Sequence, residues 1–133
     1  MLAFRLLIID SSKNFSKAAQ QFLLRKNVVN HIDITGEVQD AKSMARRLKP
    51  DLILIELELL KKVDPSFCHQ LKLETPGAII IGLTLFKCQL FCPGPFESYG
   101  IDSIISREHF ADDIKQLMRD LTYENMTYTR RGD

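Results

Sequence analysis

Apolar runs that end in acids mark the first half of this chain. Phe4-Arg5-Leu6-Leu7-Ile8-Ile9 leads directly into Asp10, and Leu52-Ile53-Leu54-Ile55 leads into Glu56. Short, unbroken apolar runs predict strands buried on both faces, because a strand with one wet face would alternate. Between them Phe15, Ala18, Ala19, Phe22 and Leu23 recur at helical spacing, with Ser11 or Ser12 placed to accept the free amides of the first turn. Val28 to Val38 alternates more weakly around Ile32 and Ile34 and reads as a second strand; Met44, Ala45 and Leu48 mark a second helix that Pro50 stops. The third strand then spans Asp51 to Leu57. Asp64-Pro65 predicts a helix opening, with the cap followed by proline at the first helical position. Phe67, Cys68 and Leu71 supply that helix's apolar face, and Thr75-Pro76-Gly77 ends it. Ala78 to Leu83 reads as a fourth strand, Ser103 to Ile105 as a short fifth, and Phe110, Ile114, Leu117 and Leu121 as a final amphipathic helix.

This alternation predicts an α/β domain, a five-stranded parallel sheet doubly wound by about five helices, since right-handed crossovers cover both faces. The domain is expected to span residues 1–122, with a polar tail at 123–133 that breaks periodicity. A hydrophobic fraction of 45% over 133 residues is enough for one real core. The formal net charge of +1 offers no support for nucleic acid or an acidic membrane surface as partner, and no run approaches the roughly 20 apolar residues of a membrane span. Cys68, Cys88 and Cys92 are odd in number and follow no zinc or redox spacing. Together with the absence of a signal-peptide core at the amino end, they point to a reducing compartment, the cytoplasm. His31, His69 and His109 are scattered without ligand spacing. Ligands of open α/β sheets sit beyond the carboxyl ends of the strands, which makes Asp10 and Glu56 candidate site residues.

Across nearly its whole length the chain resembles the receiver domain of bacterial two-component response regulators. Leu6 to Asp10 is similar to that family's first strand and acidic pair, Gly36-Glu37-Val38 to its second strand exit, and Pro50 to Glu56 to the strand that carries the phosphoacceptor. Leu83-Thr84 resembles the fourth strand with its hydroxyl, and Gly100 to Arg107 the stretch that closes the site with a lysine. The resemblance implies a flavodoxin-like three-layer sandwich and a role in phosphorelay signalling. It also implies a histidine kinase or downstream target as protein partner.

The departures from the family pattern fall on the chemistry. Glu56 stands at the position of the nucleophilic aspartate, Ser11 replaces the second acid after Asp10, Arg107 replaces the lysine, and Ile104 stands where a switching aromatic is common. Asp10 and Thr84 fit outright. A carboxylate displaced by about 1 Å can cost about a hundredfold in phosphoryl transfer, where catalysis is mostly positioning. Mg²⁺ prefers carboxylate oxygens, so a site of Asp10, Glu56 and Glu58 is expected to bind it weakly, and no cofactor is required. Glu56 is expected to reach toward Thr84 and pair with Arg107, imitating part of a phosphorylated aspartate. The expectation is a degenerate receiver that binds partners and has at most residual phosphoacceptor and autodephosphorylation activity. One alternative is a phosphorylatable regulator using Glu56 or Ser11. A remoter one is a flavodoxin-like redox protein cradling a flavin phosphate in the Ser11-Ser12-Asn14-Ser16 turn, although that turn lacks glycine and Asp10 would repel phosphate.

Pro93 and Pro95 forbid a regular helix through 85–96, so the fourth helix is expected to be short or distorted. Phe86, Leu90, Phe91, Phe96 and Tyr99 either fill the gap it leaves or form an exposed patch for a partner or homodimer.

Overall fold

The computed structural model describes residues 4–27, 29–85 and 96–120. Strands β1 (Phe4–Ile9), β2 (Val29–Thr35), β3 (Leu52–Glu56), β4 (Ile79–Thr84) and β5 (Ser103–Ser106) form one parallel sheet in the order β2-β1-β3-β4-β5. Helices α1 (Lys13–Arg25), α2 (Ala41–Leu48), α3 (Phe67–Glu74) and α4 (residues 110–120) are the α-helices among the described residues. The segment on which the fourth-helix expectation falls lies mostly outside those residues, as does the tail.

Two apolar clusters sandwich the sheet. Leu6 and Ile8 of β1 face Ala19 and Leu23 of α1 and Phe110, Ile114 and Met118 of α4; Leu7 and Ile9 face Ala41 and Ala45 of α2 and Cys68 and Leu71 of α3. The central strands are therefore apolar at successive positions because both of their faces are covered. At roughly 25 cal/mol per Å², each fully buried Leu or Ile contributes about 1.5–3 kcal/mol. Edge strand β2 is partly exposed beyond Val29, which accounts for its weaker pattern.

Several boundaries differ from the sequence reading. Val38 opens a 3₁₀ turn (Val38–Asp40) instead of ending β2, and Leu57 begins another (Leu57–Lys62). The third helix starts at Phe67, not after Asp64, because the Asp64 Oδ1 accepts both the amide and the hydroxyl of Ser66 and closes a local turn. Asp51 lies outside β3 and has a different task. Its Oδ2 accepts the amide of Arg5 at 2.9 Å, and Asp102, just before β5, accepts the amide of Ile80 through its own Oδ2 at 2.9 Å. In both cases a carboxylate at the amino end of one strand binds the start of its neighbour.

Two glycines make room for packing. At Gly82 of β4 a Cβ would stand 2.6 Å from Leu57 Cδ2, so the absent side chain lets Leu57 lie over the sheet. Gly100, at φ +86°, sits against His69 of α3, whose Nε2 is 3.0 Å from the Ser98 carbonyl.

Candidate functional site

The register of the sheet assembles the site. Ile9 pairs with Ile55, so the next residue of β1, Asp10, stands opposite Glu56 at the end of β3. Glu56 pairs with Leu83 and Thr84 with Ser106, and the Arg107 amide donates to the Thr84 carbonyl at 2.8 Å. The chain leaves the carboxyl end of β1 through α1 toward β2 on one side, and leaves the carboxyl end of the adjacent β3 through α3 toward β4 on the other. This mouth is therefore the topological switch point, where ligands of open α/β sheets bind.

Arg107 is the centre of the arrangement. Its Nε donates to Asp10 Oδ2 at 3.2 Å, and its Nη2 forms an ion pair with Asp10 Oδ1. The same Nη2 lies 3.4 Å from Glu56 Oε2. The guanidinium stacks over Phe15, 5.3 Å from the ring centre, and Phe15 meets Phe110 edge-on. Glu56 Oε1 accepts the amide of Ser11 at 2.8 Å and its hydroxyl at 2.7 Å. The two serines thus divide their work: Ser12 Oγ caps α1 by accepting the Phe15 amide, and the Ser12 amide donates to Asp10 Oδ1 at 2.8 Å. A flavin phosphate would need these same hydroxyls, and both are committed to protein groups.

Asp10 is fully enclosed. Burial pushes its carboxyl above the usual aspartate range, against the opposing pull of the Ser12 amide and the Arg107 guanidinium, while the nearby Glu56 charge adds to the rise. One cation thus serves two carboxylates, one of them out of reach of water. Beside them a cavity of about 210 Å³ opens between Glu56, Leu57, Glu58, Leu83, Thr84, Leu85 and Arg107. Thr84 is buried in its wall, with its hydroxyl 3.5 Å from the Ile105 carbonyl.

The acids do not fit Mg²⁺ as they stand. Both Asp10 oxygens face Arg107, the Glu56 oxygens face Ser11 and Arg107, and Glu58 is exposed with its carboxylate 3.1 Å from Lys61. Among the described residues no group of three or more His, Cys, Asp or Glu side chains is placed to hold a metal ion. Arg107 Nη2 contacts a carboxylate oxygen of each acid, so a cation is already seated between Asp10 and Glu56.

Of the apolar patch, Phe86, Leu90 and Phe91 fall outside the described residues. Phe96 begins a 3₁₀ turn (Phe96–Tyr99), and Tyr99 packs inward against the core on the α2 and α3 side. Ile104 is partly buried against the same core. Phe15 is the site residue that sequence reasoning missed. Its helical spacing marked it as core, and nothing in the sequence links it to Arg107.

No family model matches the chain, and no curated protein matches it either. Among solved structures it is similar to a CheY-like response regulator receiver domain from Methylobacillus flagellatus, with TM-score 0.72 and 15% identity over 90% of this chain and 98% of that one. It is also similar to the receiver domain of the DNA-binding response regulator merR from Colwellia psychrerythraea, with TM-score 0.65 and 24% identity over 87% and 98%. A third is the receiver domain of the histidine kinase CKI1 from Arabidopsis thaliana, complexed with Mg²⁺, with TM-score 0.63 and 16% identity over 87% and 93%. The chain has the receiver fold. No helix among the described residues is long and apolar enough to cross a membrane.

Proposed function

We propose that this chain is a signalling module of the receiver type that works by docking to other signalling proteins, a histidine kinase or a downstream target, without an aspartyl-phosphate cycle. The observation that supports this reading is the closed network at the strand ends. Arg107 spans Asp10 and Glu56, and Ser11 holds the remaining Glu56 oxygen through two donors. An incoming phosphoryl group would have to displace Ser11 from the carboxylate and pull Arg107 from a buried partner. Its metal ion would have to enter the same space. A homodimer through the 86–99 segment belongs to the same proposal, with solution mass as its measure.

Incubation with a small phosphodonor and Mg²⁺, followed by intact-mass analysis, is expected to leave the chain unmodified. Stoichiometric phosphate on Glu56 would overturn the proposal. A second reading takes support from the Ser11 hydroxyl, which donates to a carboxylate at 2.7 Å as a nucleophile does to its base. Phosphate found on Ser11 by fragmentation would favour that reading.

A further inference from the structure

Between Asp10 and Asp33 the chain has no acid, yet it carries Lys13, Lys17, Arg25 and Lys26. With the whole chain at +1, those four cations are offset by an excess of three acids elsewhere. Helix α1 is therefore basic along its length, and its first turn holds no acid. The helix dipole favours Arg25 and Lys26 at the carboxyl end but disfavours Lys13 in the first turn, by about 0.3–1 kcal/mol each. Among the described residues none of the four has a carboxylate within ion-pairing distance. Apart from the dipole at Arg25 and Lys26 and the Phe22 ring beside Lys26, their charge is not used in holding this domain together.

The charge is most concentrated at the carboxyl end of α1. Lys26 Nζ lies 5.6 Å and Lys115 Nζ of α4 5.9 Å from the centre of the Phe22 ring. Both ammonium groups lie within cation–π reach of one ring, so the ring gathers positive charge from two helices at this corner. Phe22, Arg25 and Lys26 line a cavity of about 180 Å³. Arg119 shares the Lys115 face one turn on, and Asp112 borders it one turn back.

We infer that this corner, Phe22 with Arg25, Lys26 and Lys115, is a docking site for an acidic protein segment that seats one apolar side chain against Phe22. Charge complementarity selects the acid, and the ring and cavity select the apolar anchor. Asp112 at the border and the acidic excess over the rest of the chain disfavour an extended polyanion or a charged membrane, either of which would overrun the patch. The inference rests on reading the chain as a docking module and names the chemistry of one partner. It concerns a surface about 20 Å along α1 from Asp10, at 1.5 Å per residue.

The test uses a fluorescein-labelled peptide of glutamates interrupted by single leucines. Its comparators are the same peptide with glutamine for glutamate, a single-stranded DNA, and phosphatidylcholine vesicles containing phosphatidylglycerol. The acidic peptide is expected to bind in a salt-sensitive way and to shift the amide resonances of residues 22, 26 and 115. The double variant R25E/K26E is expected to weaken it by about fivefold or more, and K61E/K62E, a reversal elsewhere on the surface, to leave it unchanged. No measurable binding, equal binding of the glutamine peptide, equal loss in both variants, or tighter binding to DNA or vesicles would each overturn the assignment. Phosphate on Glu56 would overturn the proposed function and leave this site standing; an unmodified chain that ignores the peptide would do the reverse.

Discussion

Replacing Arg107 with alanine tests whether one guanidinium holds the strand ends together. The substitution leaves Asp10 enclosed with the Ser12 amide as its remaining hydrogen-bond donor, and frees one Glu56 oxygen. Removing one partner of a buried ion pair costs about 3–5 kcal/mol. The Arg107 side chain is 19% exposed, so water will enter the gap and the loss at neutral pH is expected to be about 2–3 kcal/mol. The sign with pH follows from Asp10, whose carboxyl in the folded protein lies above its unfolded value of 3.8. The folded state therefore holds the proton more tightly, and ionising Asp10 costs stability as pH rises from about 4 through the folded pKa. Without Arg107 two of the opposing causes are gone, the folded pKa rises further, and the window widens upward. Urea unfolding of both proteins from about pH 4 to 8 is expected to show a small difference at the acid end and the full loss at neutrality. The double variant R107A/D10N, which removes the stranded charge, is expected to regain about half of the loss. A difference under about 0.5 kcal/mol at every pH would mean that Arg107 is an ordinary solvated cation and that the strand ends are open.

Three further outcomes follow from the same geometry. Gly82→Val places a branched side chain where Leu57 lies at 2.6 Å from a would-be Cβ, and chemical denaturation is expected to show a loss of about 1–3 kcal/mol. Ser11→Ala removes one of the two donors to Glu56 Oε1 and is expected to cost about 0.5–1.5 kcal/mol, because the Ser11 amide remains; thermal unfolding reads it, and a loss above about 3 kcal/mol would contradict the division of work between the serines. The triple variant S11D/E56D/R107K restores the residue types of the receiver pattern at these three positions, and intact-mass analysis after phosphodonor and Mg²⁺ is expected to show a phosphoryl group that E56D alone does not acquire, since Asp10 and Arg107 stay paired in the single variant.

The sheet was legible because burial on both faces leaves a plain mark: Leu6 to Ile9 and Leu52 to Ile55 admit few other readings. The helix ends were harder. Asp64-Pro65 has the composition of a helix start, yet its carboxylate closes a tighter turn with Ser66, a competition between local hydrogen bonds that composition does not resolve. At the strand ends, register and family resemblance together placed Asp10, Glu56, Thr84 and Arg107 around one mouth. Of the partners of Glu56, Arg107 was expected and Ser11 was not. Ser11 takes it because the backbone turn after β1 presents both an amide and a hydroxyl to the same oxygen, a coincidence of dihedral angles. Phe15 went unnoticed for a similar reason, since the ring that supports Arg107 comes from 92 positions earlier in the chain.

Asp51 and Asp102 fasten the sheet at the rim away from Arg107. Each carboxylate rivets an incoming strand to its neighbour, on one side β3 to β1 and on the other β5 to β4. With Arg107, Asp10, Glu56 and Ser11 holding the opposite rim, breathing should begin at neither end of the central strands but at the partly exposed edge strand β2, and spread inward from there. Replacing Asp51 or Asp102 with alanine would speed amide exchange at Arg5 or Ile80 in turn, and a partner that pries the domain apart would start from the β2 edge.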